Sequence, residues 1–139
     1  MDITNRVAQE SSAVRAKVGA VIAKDGNILA YGYNGTAPGW DNTCEYLVPD
    51  FDESGNELPP VLVTRSEVIH AEIACISKCA RAGIPIEGAT LYLTLSPCIK
   101  CATTIIMCGI KEVFFKELYR DDAGVIALNN YGIPCIQHK

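Results

Sequence analysis

The stretch HAEIACISKCARAGIPIEGATLYLTLSPCIKCATTIIMCGIKEVFF, residues 70–115, decides the fold. It predicts a helix from about His70 to Ala82, stopped by Gly83 with Pro85 just beyond, where a left-handed residue and then a missing N–H end helices. Ala89 to Leu95 is an apolar run that predicts a central strand. Pro97 opens a second helix, to about Cys108, at a position where its lack of an amide donor costs nothing, and Gly109 closes it. Glu112 to Phe115 then predicts another strand. Further on, Asp122 to Tyr131 reads as a helix behind an Asp cap, and Ile133 to Ile136 as a last short strand. On the N-terminal side, residues 3–14 read as a short amphipathic helix. Val18 to Ala23 and Ile28 to Tyr33 are β-rich runs joined by Lys24-Asp25-Gly26-Asn27, a hairpin signal. From Gly35 to Ser66 the pattern dissolves into Gly, Pro, Asp and Asn, which predicts a long loop of the functional or mobile kind. Helices alternating with strands in the C-terminal part require parallel neighbours there. The expected architecture is therefore α/β with three layers, α-β-α, around a mixed five-stranded sheet.

A chain of 139 residues is expected to form a single domain, residues 1–139, with a substantial buried core. Twelve basic against sixteen acidic residues give a formal charge of -4, so the footprint of a protein that grips a polynucleotide backbone is missing. A small anionic ligand needs only one or two local cations, and Arg15, Lys17, Arg65 and Arg120 are candidates for them. No signal peptide or membrane-length apolar run is visible, which together with free thiols predicts a cytoplasmic protein without a membrane partner. Seven cysteines are present. Cys75 and Cys79 share a helix face with no nearby histidine, which favours core packing.

The chemistry lies at the two helix starts. His70 followed two places on by Glu72, and Pro97-Cys98-Ile99-Lys100-Cys101 after the strand, offer one imidazole and two thiolates. Three protein ligands on a tetrahedral Zn2+ leave a fourth position for water, as catalysis requires, whereas a structural site is closed by a fourth ligand. Residues two apart on a helix diverge, so Glu72 is placed to reach the water and not the ion; Cys98 and Cys101, three apart, share one face. The partial positive charge of a helix N-terminus favours the ionised sulfur. A lone C-x-x-C also fits a redox pair, and a lone histidine near a helix start also fits a structural hydrogen-bonding role. Both halves in this order, each at a helix start, with His138 the sole other histidine, point to zinc.

These motifs, with Lys17-Val18-Gly19-Ala20-Val21-Ile22, Gly32-Tyr33-Asn34-Gly35 and Ser96 before Pro97, make the chain resemble the cytidine deaminase-like superfamily, and within it the deoxycytidylate (dCMP) deaminases. The resemblance runs over nearly the whole chain. It implies hydrolytic deamination of dCMP to dUMP with release of ammonia, feeding dTMP synthesis. It implies His70, Cys98 and Cys101 as zinc ligands and Glu72 as the catalytic acid and base. Asn34 would lie where the sugar or an effector nucleotide is held, Ala71 and Ser96 would line the base pocket, and Tyr119 would lie against substrate. Family members are commonly hexamers, activated by dCTP and inhibited by dTTP, with Mg2+ accompanying the effector; Lys17, Asn34 and Gly35 would belong to that second site, with the 35–66 loop as its bistable element. Two departures stand out: Ala74 occupies a place where the family commonly has Asn, and the N-terminal helix is a turn or more short. The alternatives are a tRNA adenosine deaminase or other nucleobase deaminase, and a silent zinc-stabilised nucleotide-binding module. The acidic balance argues against the first and the retained Glu72 against the last.

Overall fold

The computed structural model describes residues 1–139. Its sheet has five strands: β1 (Gly19–Lys24), β2 (Asn27–Tyr33), a fifth strand in chain order β5 (Thr90–Leu95), β6 (Glu112–Glu117) and β7 (Cys135–Gln137). Between β2 and β5 lie a separate ribbon, β3 (Glu45–Phe51) and β4 (Glu57–Thr64), and helix α2 (Ala71–Ala82). Helices α1 (Asp2–Ala8), α3 (Ile99–Met107) and α4 (Ala123–Tyr131) complete the fold. The order across the sheet is β2-β1-β5-β6-β7. β1 runs antiparallel to both β2 and β5, while β5, β6 and β7 are parallel, as their helical crossovers demand. The sheet is mixed, as expected.

Two glycines show which helices cover which face. Gly19 pairs with Tyr33 and Ala20 with Gly32, so Gly19 and Gly32 point to opposite sides of the sheet. A Cβ at Gly19 would collide with the backbone of Thr4 and Ala8 in α1, and one at Gly32 would collide with Ala71 and Cys75 in α2. Helix α1 thus lies on one face and α2 on the other, which makes three layers. The main core lies on the α2 side, where Ile22, Leu91, Leu93 and Val113 pack with Cys75, Cys79, Ile105 and Leu128, all nearly or fully buried. Each such aliphatic side chain contributes about 1.5–3 kcal/mol on burial. Cys75 and Cys79 are core residues, as their surroundings predicted, and all seven cysteines are free thiols. The opposite face is covered only by the seven residues of α1, beside a stacked Tyr92–Phe114 pair with ring centroids 5.6 Å apart.

The structure corrects three expectations. The N-terminal helix stops at Ala8 and not at residue 14. Ser11 redirects the chain, its hydroxyl donating to the Asn34 carbonyl at 2.7 Å and accepting from the Ala13 N–H at 3.1 Å, a local side-chain to backbone bond of the sort that competes with helix. The second helix begins at Ile99, with Cys98 as its N-cap and Pro97 still outside. The segment read as a long loop holds the β3–β4 ribbon. Three prolines hid it: Pro49, Pro59 and Pro60 lie opposite one another where the ladder is interrupted, between the Val48–Val61 and Asp50–Leu58 pairs. A bulge is a place where a strand tolerates proline. The ribbon's tip is closed by Asp52, whose carboxylate accepts from the Ser54 and Asn56 backbone N–H groups; the Asn56 bonds hold its acid below the usual carboxylate range. Its base is fastened by Glu45, which is buried and accepts from the Val14 and Arg15 N–H groups at 2.8 Å each. Tyr46, Leu47, Phe51 and Val61 remain about half or more exposed on the ribbon.

Candidate metal centre

The N-termini of α2 and α3 meet. His70 is the N-cap of α2 and Cys98 the N-cap of α3, both with extended backbone, and Glu72 and Cys101 lie in the respective first turns. His70 Nδ1 lies 3.3 Å from Cys101 Sγ and 3.7 Å from Cys98 Sγ. All three ligand atoms fall within 4.8 Å of one another. A tetrahedral zinc at ordinary Zn–N and Zn–S lengths separates N from S by about 3.5 Å. The two observed distances bracket that edge, so the donor set fits zinc in both kind and span.

Glu72 is 4% exposed, and its Oε1 approaches His70 Nδ1 to 3.6 Å. Divergence at helical spacing does not hold for this pair because His70 stands outside the helix, in extended conformation. The carboxylate nevertheless stays outside the mutually close donor set, which is His70, Cys98 and Cys101. It borders that set without joining it.

The surroundings of these groups shift their titration in different directions. Hydrogen bonding to Glu72 raises the His70 imidazole to about 9 against the opposing effect of burial, with the charges of Glu72 and Cys98 adding to the rise. Burial alone would raise the Cys98 thiol, but the Cys101 backbone N–H and thiol and the His70 charge outweigh it and hold it below its ordinary value. Burial, then the Glu72 charge, pushes Cys101 well up. These surroundings favour positive charge beside His70, and a divalent ion taking the place of a proton on Nδ1 would supply it while stabilising both cysteines as thiolates. The N-terminal partial charges of α2 and α3 act in the same direction.

The sheet gathers the other sequence-predicted residues around this point. β2, β5 and β6 run the same way, so Asn34, Ser96 and Tyr119, which follow them, lie along one edge, the carboxyl-end edge where open α/β sheets hold ligands. Ala71 is fully buried as the first residue of α2, and Gly35 pairs with Ile69, the residue before His70, through bonds of 2.7 and 3.1 Å. Ser96 is buried; its hydroxyl accepts from the Tyr119 N–H at 2.6 Å and so ties the β6 exit to the Pro97-Cys98 turn. Asn34 is more than a turn residue. Its Oδ1 accepts from the Val18 N–H and its Nδ2 donates to the Ala16 carbonyl, both at 2.8 Å, so the side chain clamps the segment leading into β1. Lys17, between those two residues, is exposed.

Among the candidate anion-binding cations, Arg65 is engaged with Glu67 at 3.1 Å and Arg15 with Thr64 at 3.2 Å, whereas Arg120 lies over the Tyr119 ring at 5.3 Å. Reading the sequence overlooked Gly124, whose position in α4 directly behind the Cys98 turn arises from a contact between distant segments. The one sequence signal for it is a glycine in the first turn of a helix, where other residues form helix better.

One imidazole and two thiols within reach of one ion, with a buried carboxylate beside them, are a donor set that would hold zinc and leave a fourth position for water, the layout of a hydrolytic zinc centre. The chain belongs to the cytidine and deoxycytidylate deaminase zinc-binding family, whose model matches residues 1–117. It is 36% identical over 147 aligned positions to the deoxycytidylate deaminase of enterobacteria phage T4, covering 86% of this chain and 76% of that one. It superposes on the dCMP deaminase of cyanophage S-TIM5, solved in complex with dCMP and dUMP, with a TM-score of 0.84 at 33% identity, over 99% of this chain and 92% of that one. A tRNA-specific adenosine deaminase from Aquifex aeolicus is 34% identical over 73 residues, half of this chain and 48% of its own.

Proposed function

We propose that residues 1–139 act as one catalytic domain that hydrolyses dCMP to dUMP and ammonia. The observation that supports this most is the near-complete structural likeness to a dCMP deaminase, with His70, Cys98, Cys101 and Glu72 converging at the carboxyl-end edge of the sheet. Zinc held by the three ligands supplies a water acidified toward neutral pH. Glu72 takes the proton of the water that adds to C4 and delivers it to N3, which receives the displaced electron pair. The same carboxyl then passes the second water proton to the departing amino group, so water is consumed and ammonia leaves. A buried carboxyl suits this double duty, being base first and acid later. Ala71 and Ser96 line the base, Asn34 shapes the sugar side, and Tyr119 lies against substrate.

Control by dCTP and dTTP with Mg2+, supply of dUMP for dTMP synthesis, a cytoplasmic setting and a hexamer belong to the same reading. Lys17, Asn34 and Gly35 form the effector segment, supported by the way Asn34 ties residues 16–18 to the strand edge that meets the metal turn. The apolar side chains left open on the ribbon, Leu47 and Phe51 among them, and Met107 and Tyr131 on α3 and α4, favour association between copies. Light scattering is expected to return about six times the chain mass; a monomer would overturn the assembly reading. No helix is long and apolar enough to cross a membrane. The tRNA reading has sequence similarity over only half the chain, and a formal charge of -4 argues against the basic footprint that a polynucleotide substrate demands.

The test is ammonia release from zinc-loaded protein supplied with dCMP or with deoxycytidine, with and without dCTP and Mg2+. Turnover of dCMP alone is expected, with a further rise on adding dCTP. Turnover of deoxycytidine in preference to dCMP would overturn the choice of substrate, and silence with both would overturn the enzyme reading.

A further inference from the structure

Both turns that present metal ligands are seated against a glycine from elsewhere in the chain. Gly124, in the first turn of α4, is buried, and a Cβ there would overlap the Pro97 carbonyl oxygen and come within 2.8 Å of the Cys98 oxygen and 2.9 Å of its carbonyl carbon. Gly32, in β2, is also buried, and a Cβ there would lie 2.7 Å from both the Ala71 oxygen and the Cys75 nitrogen, in the turn that follows His70 and holds Glu72. These are backbone atoms of packed elements, with no flexible side chain to swing away. Each glycine also runs against local preference, since alanine forms helix better and β-rich residues form strand better. Glycine inside a strand commonly marks close approach by another backbone.

We propose that Gly124 and Gly32 are positioning residues for the metal centre: by letting α4 and β2 press against the Pro97-Cys98 and Ala71–Cys75 backbones, they set the separation between the Cys98 thiolate and the His70 imidazole. This rests on the zinc reading above. Adding a methyl at either place displaces one helix start relative to the other while all three ligands and Glu72 remain. The 3.3 and 3.7 Å spans from His70 Nδ1 already match a tetrahedral edge, so displacement moves the donor set away from the geometry that zinc prefers.

The experiment is competitive zinc titration, with the cobalt-thiolate absorption of the Co2+-loaded protein as a second readout, on wild type, Gly124→Ala and Asn130→Gly. Asn130→Gly weakens α4 on its exposed side, away from the ligand turn, and controls for loss of helix stability. We expect Gly124→Ala to bind zinc about 10–100-fold more weakly, the range seen when support behind a ligand is removed, with a changed cobalt spectrum, while Asn130→Gly matches wild type. In a Cys98→Ser background the Gly124→Ala penalty is expected to shrink, because the two then act on one ligand. Zinc affinity and cobalt spectrum of Gly124→Ala equal to wild type would overturn the inference, as would an equal loss in Asn130→Gly. Should Gly124→Ala not fold, the same titration on Gly32→Ala decides, read through His70 in place of Cys98. Wild-type protein that takes up no zinc would overturn the metal reading itself, a result distinct from wild type and variant binding alike.

Discussion

Glu72→Ala is expected to keep its zinc and to lose about two to four orders of magnitude in turnover of dCMP, the range typical of a general acid-base group. The carboxylate is 4% exposed and lies beside the donor set without belonging to it, so its removal takes away the proton carrier and leaves His70, Cys98 and Cys101 in place. Glu72→Gln keeps the shape but cannot accept the water proton, and it is expected to fall about as far. The measurements are zinc content after dialysis and single-turnover rates with dCMP. A zinc-loaded Glu72→Ala protein with near wild-type turnover would remove Glu72 from the mechanism. Loss of zinc from that variant would instead make the residue a ligand.

Cys101→Ala should abolish zinc retention and with it all measurable turnover. This thiol is 3% exposed and closest to the imidazole, at 3.3 Å, so the donor set loses its deepest member and no other cysteine is near enough to replace it. A ligand that binds only the folded state stabilises it by about 4 kcal/mol at a thousandfold excess over its Kd. Wild-type protein is therefore expected to melt at a lower temperature after treatment with a chelator, and Cys101→Ala at the same temperature with and without one. A variant that keeps one zinc per chain would place the ion elsewhere.

The ligand motifs were legible because their geometry is local. Cys98 and Cys101 span one helix start whatever the remainder of the chain does, and His70 with Glu72 span another. Alternation of strand and helix after residue 70 likewise announced the parallel half of the sheet. The ribbon at 45–64 escaped detection because Pro49, Pro59 and Pro60 weaken the strand pattern, and only the pairing of β3 with β4 shows that they share one bulge. The 3–14 pattern overstates the N-terminal helix because what turns the chain beyond Ala8 is partly remote: Ser11 bonds the Asn34 carbonyl, twenty-three residues away, as well as the nearby Ala13 N–H.

Spacing within a few residues was enough to pick out the His70, Cys98 and Cys101 cluster, the carboxylate beside it and the alternating α/β frame. Tertiary structure alone decided the rest. It chose Nδ1 as the imidazole atom facing both thiols, turned the Asn34 amide inward onto Ala16 and Val18, joined Ser96 to the Tyr119 backbone, and placed Gly124 behind Cys98. All of these depend on backbones far apart in the chain packing without a gap, and close packing across elements has no signature in local residue spacing.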